Sequence, residues 1–259
     1  MKAIITGASS GFGWDMSHIL SDMGYDIIAV ARRRELLEKL KSELSTNVEI
    51  VVCDVTDRNS CEELAKRAGE ADILINNAGF GVFGNFAETD LDKELAMIDT
   101  NVKALHMLTK MFVKEFKKKN SGRIMNVASL ASFFPGPLFA AYYATKSYVL
   151  RLTQSICEEL RREKSNVKVC VLCPGPAHTG FANVAKVNFG TGNEGAIASK
   201  VVLTSREVSE YAIKQMFKDK EVIVPGFIMK CAVFARHFLS DKLLAKAVYM
   251  VQSKKMMMK

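Results

Sequence analysis

Tyr142 and Lys146 stand four residues apart in a stretch of helical period, so both side chains leave one face of that helix. A phenol with a pKa of ~10 is a poor proton-transfer group at neutral pH, but a neighbouring ammonium stabilises its phenolate and brings that value down. Ser129 lies thirteen residues before Tyr142 and closes the apolar run Asn126-Val127-Ala128-Ser129. A hydroxyl at the carboxyl end of a strand faces the crevice in which open α/β sheets bind ligands. These three groups could hold one oxygen atom and carry a proton to or from it. A Tyr-x3-Lys match by itself is common by chance, so its company decides.

Phosphate chemistry accounts for a second group of residues. Thr6-Gly7-Ala8-Ser9-Ser10-Gly11-Phe12-Gly13 joins an apolar strand directly to a helix. Glycines at 7, 11 and 13 permit a tight turn and close backbone approach, and the helix start presents free N–H groups and a positive dipole end to a pyrophosphate. A glycine-rich turn without a ligand is the plainer alternative. Its spacing, Gly-x3-Gly-x-Gly, differs from the more common dinucleotide fingerprint. At the end of the second strand, where an acidic residue would read a ribose 2′-hydroxyl, stands Ala31-Arg32-Arg33-Arg34. A guanidinium clamps a 2′-phosphate, so Arg32 and Arg33 favour NADP(H) over NAD(H), while Arg34 reads equally well as a surface residue of the second helix. Asp54, in Cys53-Asp54-Val55, is placed to accept a hydrogen bond from an adenine amino group or to cap a turn near Asp57.

The elements that must position these groups alternate along the chain. Apolar runs of strand length occur near residues 2–6, 26–31, 48–53, 72–76, 122–128, 167–173 and 221–224. Between them, helical periodicity covers 11–23, 34–45, 58–69, 91–119, 141–164 and 206–219, with Asp57 and Asp90 as capping residues. This predicts an α/β fold, a single doubly wound (Rossmann) domain with a seven-stranded parallel sheet over residues 1–225. Residues 177–205 break the alternation and read as a lid-like substrate loop. After Pro225-Gly226, the helical spacing of Phe227, Cys231, Phe234 and Phe238, then of Leu244, Val248 and Val251, predicts an amphipathic C-terminal extension over 226–259.

Composition narrows the partners. The 259 residues carry a net charge of +8, but residues 226–259 hold seven basic residues against Asp241 alone, which leaves the main body nearly neutral and argues against nucleic acid. The six cysteines lack the spacing of a disulfide framework, and no apolar run has the length of a leader or a membrane span, so a soluble protein of the reducing cytoplasm is expected. Cys170-x2-Cys173 lies in a strand, where residues three apart point to opposite faces, which favours core packing over metal or redox chemistry. His18, His106 and His237 read as structural, and His178 as a candidate pocket residue.

With these residues in view, the sequence resembles the short-chain dehydrogenase/reductase family. The likeness rests on the glycine turn, Asn76-Asn77-Ala78-Gly79, Asn101 in the following long helix, Ser129, Tyr142-x3-Lys146 and Pro174-Gly175, in that order along the chain. The resemblance implies an NAD(P)-dependent oxidoreductase acting on a carbonyl or alcohol. It gives Tyr142 the role of general acid-base, Ser129 that of orienting the substrate oxygen, and Lys146 that of lowering the phenol pKa and binding the nicotinamide ribose. Asn101 would hold a water linking Lys146 to solvent. The offsets from Ser129 and Lys146 favour Tyr142 over Tyr143. Cofactor contacts are expected from Gly7, Ser9, Ser10, Gly11, Phe12, Gly13, Arg32, Arg33, Asp54, Val55, Asn77, Ala78, Gly79, Tyr142, Lys146, Pro174, Gly175 and Thr179, with Asn77 also tying the sheet together; no metal is expected. Position 177 is Ala where the family commonly has a β-branched residue. Pairing through the long helices, here 91–119 and 141–164, implies a homodimer or homotetramer. The tail, with Pro225-Gly226-Phe227 and the helices beyond, resembles that of bacterial and fatty-acyl-related reductases of the family, which implies a hydrophobic substrate such as a long-chain ketone, aldehyde or steroid-like alcohol; phenylalanines in 80–86, 130–139 and 181–189 support an apolar cleft without naming its occupant. Two other readings stay open: a non-catalytic NAD(P)-binding regulator of the same fold, and peripheral membrane attachment through the tail, against a tail that covers the cleft or a subunit interface.

Overall fold

The computed structural model describes residues 1–178 and 202–256, with no side-chain description for His178 and 254–256. Strands β1 (Lys2–Thr6), β2 (Asp26–Ala31), β3 (Val48–Val52), β4 (Ile73–Asn76), β5 (Arg123–Val127) and β6 (Lys168–Leu172) form one parallel sheet. Two short strands, β7 (Ala177–His178) and β8 (Leu203–Thr204), pair with each other, and β9 (Val222–Ile223) completes the main sheet. The order is β3-β2-β1-β4-β5-β6-β9, so the winding reverses between β1 and β4 and opens a crevice at their carboxyl ends. Both faces of the inner strands are buried, as their apolar runs require, while β3 at the edge leaves Glu49 and Val52 exposed. One cluster packs Ile5, Leu20, Leu37 and Met125 together, the other Ile4, Leu74, Phe112 and Phe116. Cys170 belongs to the first cluster and Cys173 packs on the other face with Leu150 and Val224, both as free thiols.

Helices α1 (Gly11–Asp22), α2 (Arg34–Glu43), α3 (Arg58–Lys66), α4 (Leu91–Ile98), α5 (Leu105–Lys118), α6 (Ala140–Arg162) and α7 (Ser205–Met216) cover the sheet. Asp57 and Asp90 cap α3 and α4 by accepting from the Ser60 and Lys93 amides, as their positions predict. The expected single helix over 91–119 is interrupted. Residues Asp99–Ala104 form a wider π-helical turn between α4 and α5, and Asn101 sits within it, fully buried. The tail folds as α8 (Phe227–Ala235) and α9 (Asp241–Met256).

Polar groups in the sheet form one chain of hydrogen bonds. Asn76 Nδ2 donates to Asn126 Oδ1 (2.9 Å) and Thr109 Oγ1 (3.1 Å), and Asn126 Nδ2 donates to Thr153 Oγ1 (3.0 Å). Asn76 therefore joins β4 to β5 and α5, and through Asn126 to α6. Asn77 ties the end of β4 to the end of β1 and to the glycine turn, with Nδ2 donating to the Thr6 and Gly7 carbonyls.

Candidate active site

The glycine turn is built so that backbone can pass close to backbone. Gly7 holds a left-handed φ of +67°, and a Cβ on Gly13 would strike the Gly7 carbonyl. Thr6 Oγ1 accepts from the amides of Asn77 (3.0 Å) and Ala78 (3.1 Å), which locks the two sides of the crevice. Ser10 precedes α1 in extended backbone but gives the helix no side-chain cap, and the first turn carries no acidic residue. That positive end is thus left for an anion. Phe12 packs on the first core cluster and Val55 on the second, so their contribution to any ligand would come from the backbone.

The three arginines separate. Arg33 donates to Ser9 Oγ (2.9 Å) and Ser10 Oγ (3.2 Å), which brings the end of β2 onto the glycine turn. Arg32 is exposed and pairs with Asp54 at 3.6 Å, while Arg34 pairs with Glu38 along its own helix. Asp54 spends its other oxygen on a turn, accepting from Thr56 N and Oγ1, both at 2.9 Å. Of the two roles open to Asp54, the turn is the one its hydrogen bonds occupy.

Ser129, Tyr142, Lys146 and Asn101 converge beyond the ends of β4 and β5. Ser129 Oγ hydrogen-bonds the Tyr142 phenol and accepts from Ala131 N at 3.1 Å as it caps the short 3₁₀ turn Leu130–Phe133. Lys146 is buried, donates to the Val127 carbonyl at 2.9 Å and lies 5.8 Å from the Tyr142 ring centre. The Asn101 amide donates to Phe80 O (2.9 Å) and Thr145 Oγ1 (3.2 Å) and accepts from Phe80 N, so it holds the segment after β4 against α6. A Cβ on Gly79 would come within 2.8 Å of Asn101 Oδ1 and 3.4 Å of Lys146 Nζ, so this position has room for hydrogen alone. Leu130 N donates to Pro174 O at 2.8 Å, which seats the Pro174-Gly175 turn beside Ser129. Thr179, most of the 177–205 loop and the phenylalanines of 181–189 lie outside the described residues.

Electrostatics here depart from the expectation that Lys146 depresses the phenol. Burial pushes the Tyr142 phenol up, and the Ser129 hydrogen bond offsets only part of this. Burial also draws the Lys146 ammonium down to about 8. Within the protein itself desolvation, joined by the neighbouring Tyr143 phenol, outweighs the Ser129 hydrogen bond.

Two residues, Gln252 and Arg236, escaped the sequence reading, and a third, Phe139, lies in the segment 130–139 expected to line an apolar cleft. Phe139 stacks on Tyr142 with ring centres 4.4 Å apart at 17°, and meets Phe83 edge to face at 5.6 Å. Its neighbour Leu138 holds a φ of +64°, unusual for a branched side chain. From the tail, Gln252 Nε2 donates to the Tyr143 hydroxyl at 2.9 Å, and Arg236 donates to Phe133 O at 3.2 Å while lying over the Phe133 ring. Aromatic density in 130–143 was a usable signal for Phe139; nothing local marks Gln252 or Arg236. His18 pairs with Glu43 at 3.2 Å, His106 bonds Tyr148 OH at 2.7 Å and His237 bonds Phe234 O at 3.0 Å, in line with structural roles.

Residues 1–188 match the family model described as short chain dehydrogenase. The chain is a short-chain dehydrogenase. It is 33% identical over 216 residues to the NADP-dependent 3-hydroxy acid dehydrogenase YdfG of Escherichia coli, covering 81% of this chain and 86% of that one. Among solved structures it is similar to a short-chain dehydrogenase from Sphingobium yanoikuyae in complex with NADPH (TM-score 0.78, 27% identity, 92% and 94% of the two chains). It is also similar to a short-chain dehydrogenase/reductase from Burkholderia phymatum in complex with NAD (TM-score 0.81, 25% identity, 92% of each). This short-chain dehydrogenase is accordingly an NAD(P)-dependent oxidoreductase acting on CH–OH or C=O groups.

Proposed function

We propose that the chain interconverts an apolar ketone or aldehyde and its alcohol with NADP(H) in preference to NAD(H). Arg33 carries the cofactor half of this reading: its guanidinium sits on the Ser9 and Ser10 hydroxyls, at a strand end with no carboxylate. A 2′-phosphate would gather those donors, and a bare ribose would leave them unmatched. The relatives divide, since the Sphingobium neighbour carries NADPH and the Burkholderia one NAD. Arg33 tips the balance.

The residues present fit such a cofactor. The tight glycine turn, whose Gly7 and Gly13 leave no room for a side chain against the neighbouring backbone, and the uncapped start of α1 suit a pyrophosphate. When bound, the nicotinamide would supply or accept the hydride. Tyr142 would then give its proton to the substrate oxygen in reduction and take it back in oxidation. Ser129, already bonded to the phenol, would orient that oxygen from the other side. Lys146 would bind the nicotinamide ribose hydroxyls and, with a positive ring beside it, bring the phenol pKa back down. Asn101 has its side-chain amide committed to Phe80 and Thr145, so the relay water would fall to its backbone.

Phe83, Phe139 and Tyr143 support an apolar wall beside Tyr142, which favours a hydrophobic substrate. Exposed Leu91, Leu95, Ile98 and Tyr148, on the long helices, support pairing into a homodimer or homotetramer. The reading places the enzyme in the cytoplasm, with residues 226–259 as an appendage available for peripheral contact with a membrane. A panel of ketones and aldehydes assayed with NADPH and NADH tests the proposal. Apolar carbonyls should turn over with NADPH about tenfold or more better than with NADH; a preference for NADH would overturn the cofactor choice, and turnover confined to polar substrates would overturn the substrate class.

A further inference from the structure

The tail is apolar on two sides, and only one of them is spent inside the protein. Met229 and Val233 of α8 pack beside Val149, Val171 and Val224, and Leu244 and Gln252 of α9 are buried. Phe227, Cys231, Phe234 and Phe238, whose helical spacing predicted an amphipathic extension, face outward. The three phenylalanines are 80%, 66% and 74% exposed, and Phe234 and Phe238 meet edge to face at 5.5 Å in solvent. In α9, Leu243, Met250 and Val251 repeat the pattern on the exposed side. A helix that is apolar all round is one that something covers on every side, and a bare phenylalanine stripe of this kind marks a contact surface.

Charge decides what covers it. Residues 226–259 contain Lys230, Arg236, Lys242, Lys246, Lys254, Lys255 and Lys259 against Asp241, a net +6. Lys242 and Lys246 are exposed beside the apolar positions of α9. A second copy meeting this face across a twofold axis would bring the same cations together. An anionic bilayer accepts both features, the rings at the acyl boundary and the lysines among the headgroups. No helix among the described residues is long and apolar enough to cross a membrane, so the fitting geometry is helices lying in the interface.

We propose that α8 and α9 dock this enzyme on an anionic lipid surface, with Phe227, Phe234, Phe238 and Met250 in the acyl boundary and Lys242 and Lys246 on the headgroups. This deepens the reading of the tail as a contact surface and does not rest on the chemistry at Tyr142. The test is co-sedimentation of the full chain with vesicles of phosphatidylglycerol mixed with phosphatidylcholine, and with phosphatidylcholine alone, at low and high salt. Binding should be at least about tenfold stronger to the anionic vesicles and should weaken with salt. F227S/F234S/F238S and, separately, K242E/K246E should each lower it about tenfold while NADPH binding is unchanged. No binding to the anionic vesicles, or binding indifferent to both sets of substitutions, would overturn the proposal. So would light scattering in which the triple phenylalanine variant halves the particle mass, since a second copy would then own the stripe. A chain that bound lipid but turned over no carbonyl would sink the proposed substrate and leave the docking standing.

Discussion

The glycine turn and the C-terminal tail invert each other's design. Around the turn, apolar side chains such as Phe12 point into the core and the polar groups of Ser9, Ser10 and Arg33 gather at the crevice. In the tail, Gln252 is only 5% exposed and bonds Tyr143, while three phenylalanines face out. The first arrangement suits a small, highly charged ligand that must be gripped by donors at fixed distances. The second suits a broad surface outside and the wall of an apolar cleft inside. One chain can carry both because the turn is shaped by backbone and the tail by side chains, so that neither constrains the other.

The sharpest way to break this division is at the site between the two regions. Tyr142→Phe keeps the ring stacked on Phe139 and removes only the proton. It should lower turnover by about a thousandfold, with NADPH affinity, followed by its fluorescence, unchanged; a variant that kept its activity would remove Tyr142 from the mechanism.

Lys146 offers a test through stability and pH. Its folded pKa of about 8 lies below the ordinary value of 10.5, so the unfolded chain binds more protons than the folded one between those values. Lys146 therefore costs stability below pH 8 and ceases to do so as the pH rises past its unfolded value. Buried thiols act oppositely: the Cys61 thiol is pushed up to about 11 and Cys173 to about 12, so stability is lost as the unfolded thiols ionise. The comparison must be with a variant carrying the same cysteines. Between pH 8 and about 10.5, wild type should gain on the order of 3 kcal/mol relative to Lys146→Met in urea unfolding; a flat difference would show that Lys146 keeps its proton up to its ordinary value, as a solvated ammonium does.

Smaller effects separate the two regions themselves. Arg33→Ala should reduce kcat/KM with NADPH about ten- to a hundredfold and leave NADH nearly unaffected; equal losses with both would mean that Arg33 only braces the turn. Gln252→Leu removes the tail's hydrogen bond to Tyr143 and should cost about 1 kcal/mol of stability, with KM for an apolar ketone changing more than kcat. A change in kcat alone would place the tail's influence on Tyr142.

The seven strands were legible because a parallel sheet buried on both faces must be written as unbroken apolar runs, and the observed strands fall within those runs. The break at Asp99–Ala104 was not, because a π-helical turn changes only one turn of hydrogen bonding and leaves the apolar period nearly intact. Tyr142, Lys146 and Ser129 could be picked out by spacing, since a four-residue helical offset and a strand end each fix a direction. The stack of Phe139 on Tyr142 and the left-handed backbone of Leu138 beside it leave no mark in composition.

By itself the sequence determined the sheet, the phosphate turn and the residues that share one face of α6, all of which follow from local period and short-range geometry. Tertiary structure alone decided which face of the tail looks inward. Helical spacing defines a stripe but not its direction, and only packing of Met229, Leu244 and Gln252 against the body turned Phe227, Phe234 and Phe238 to the outside.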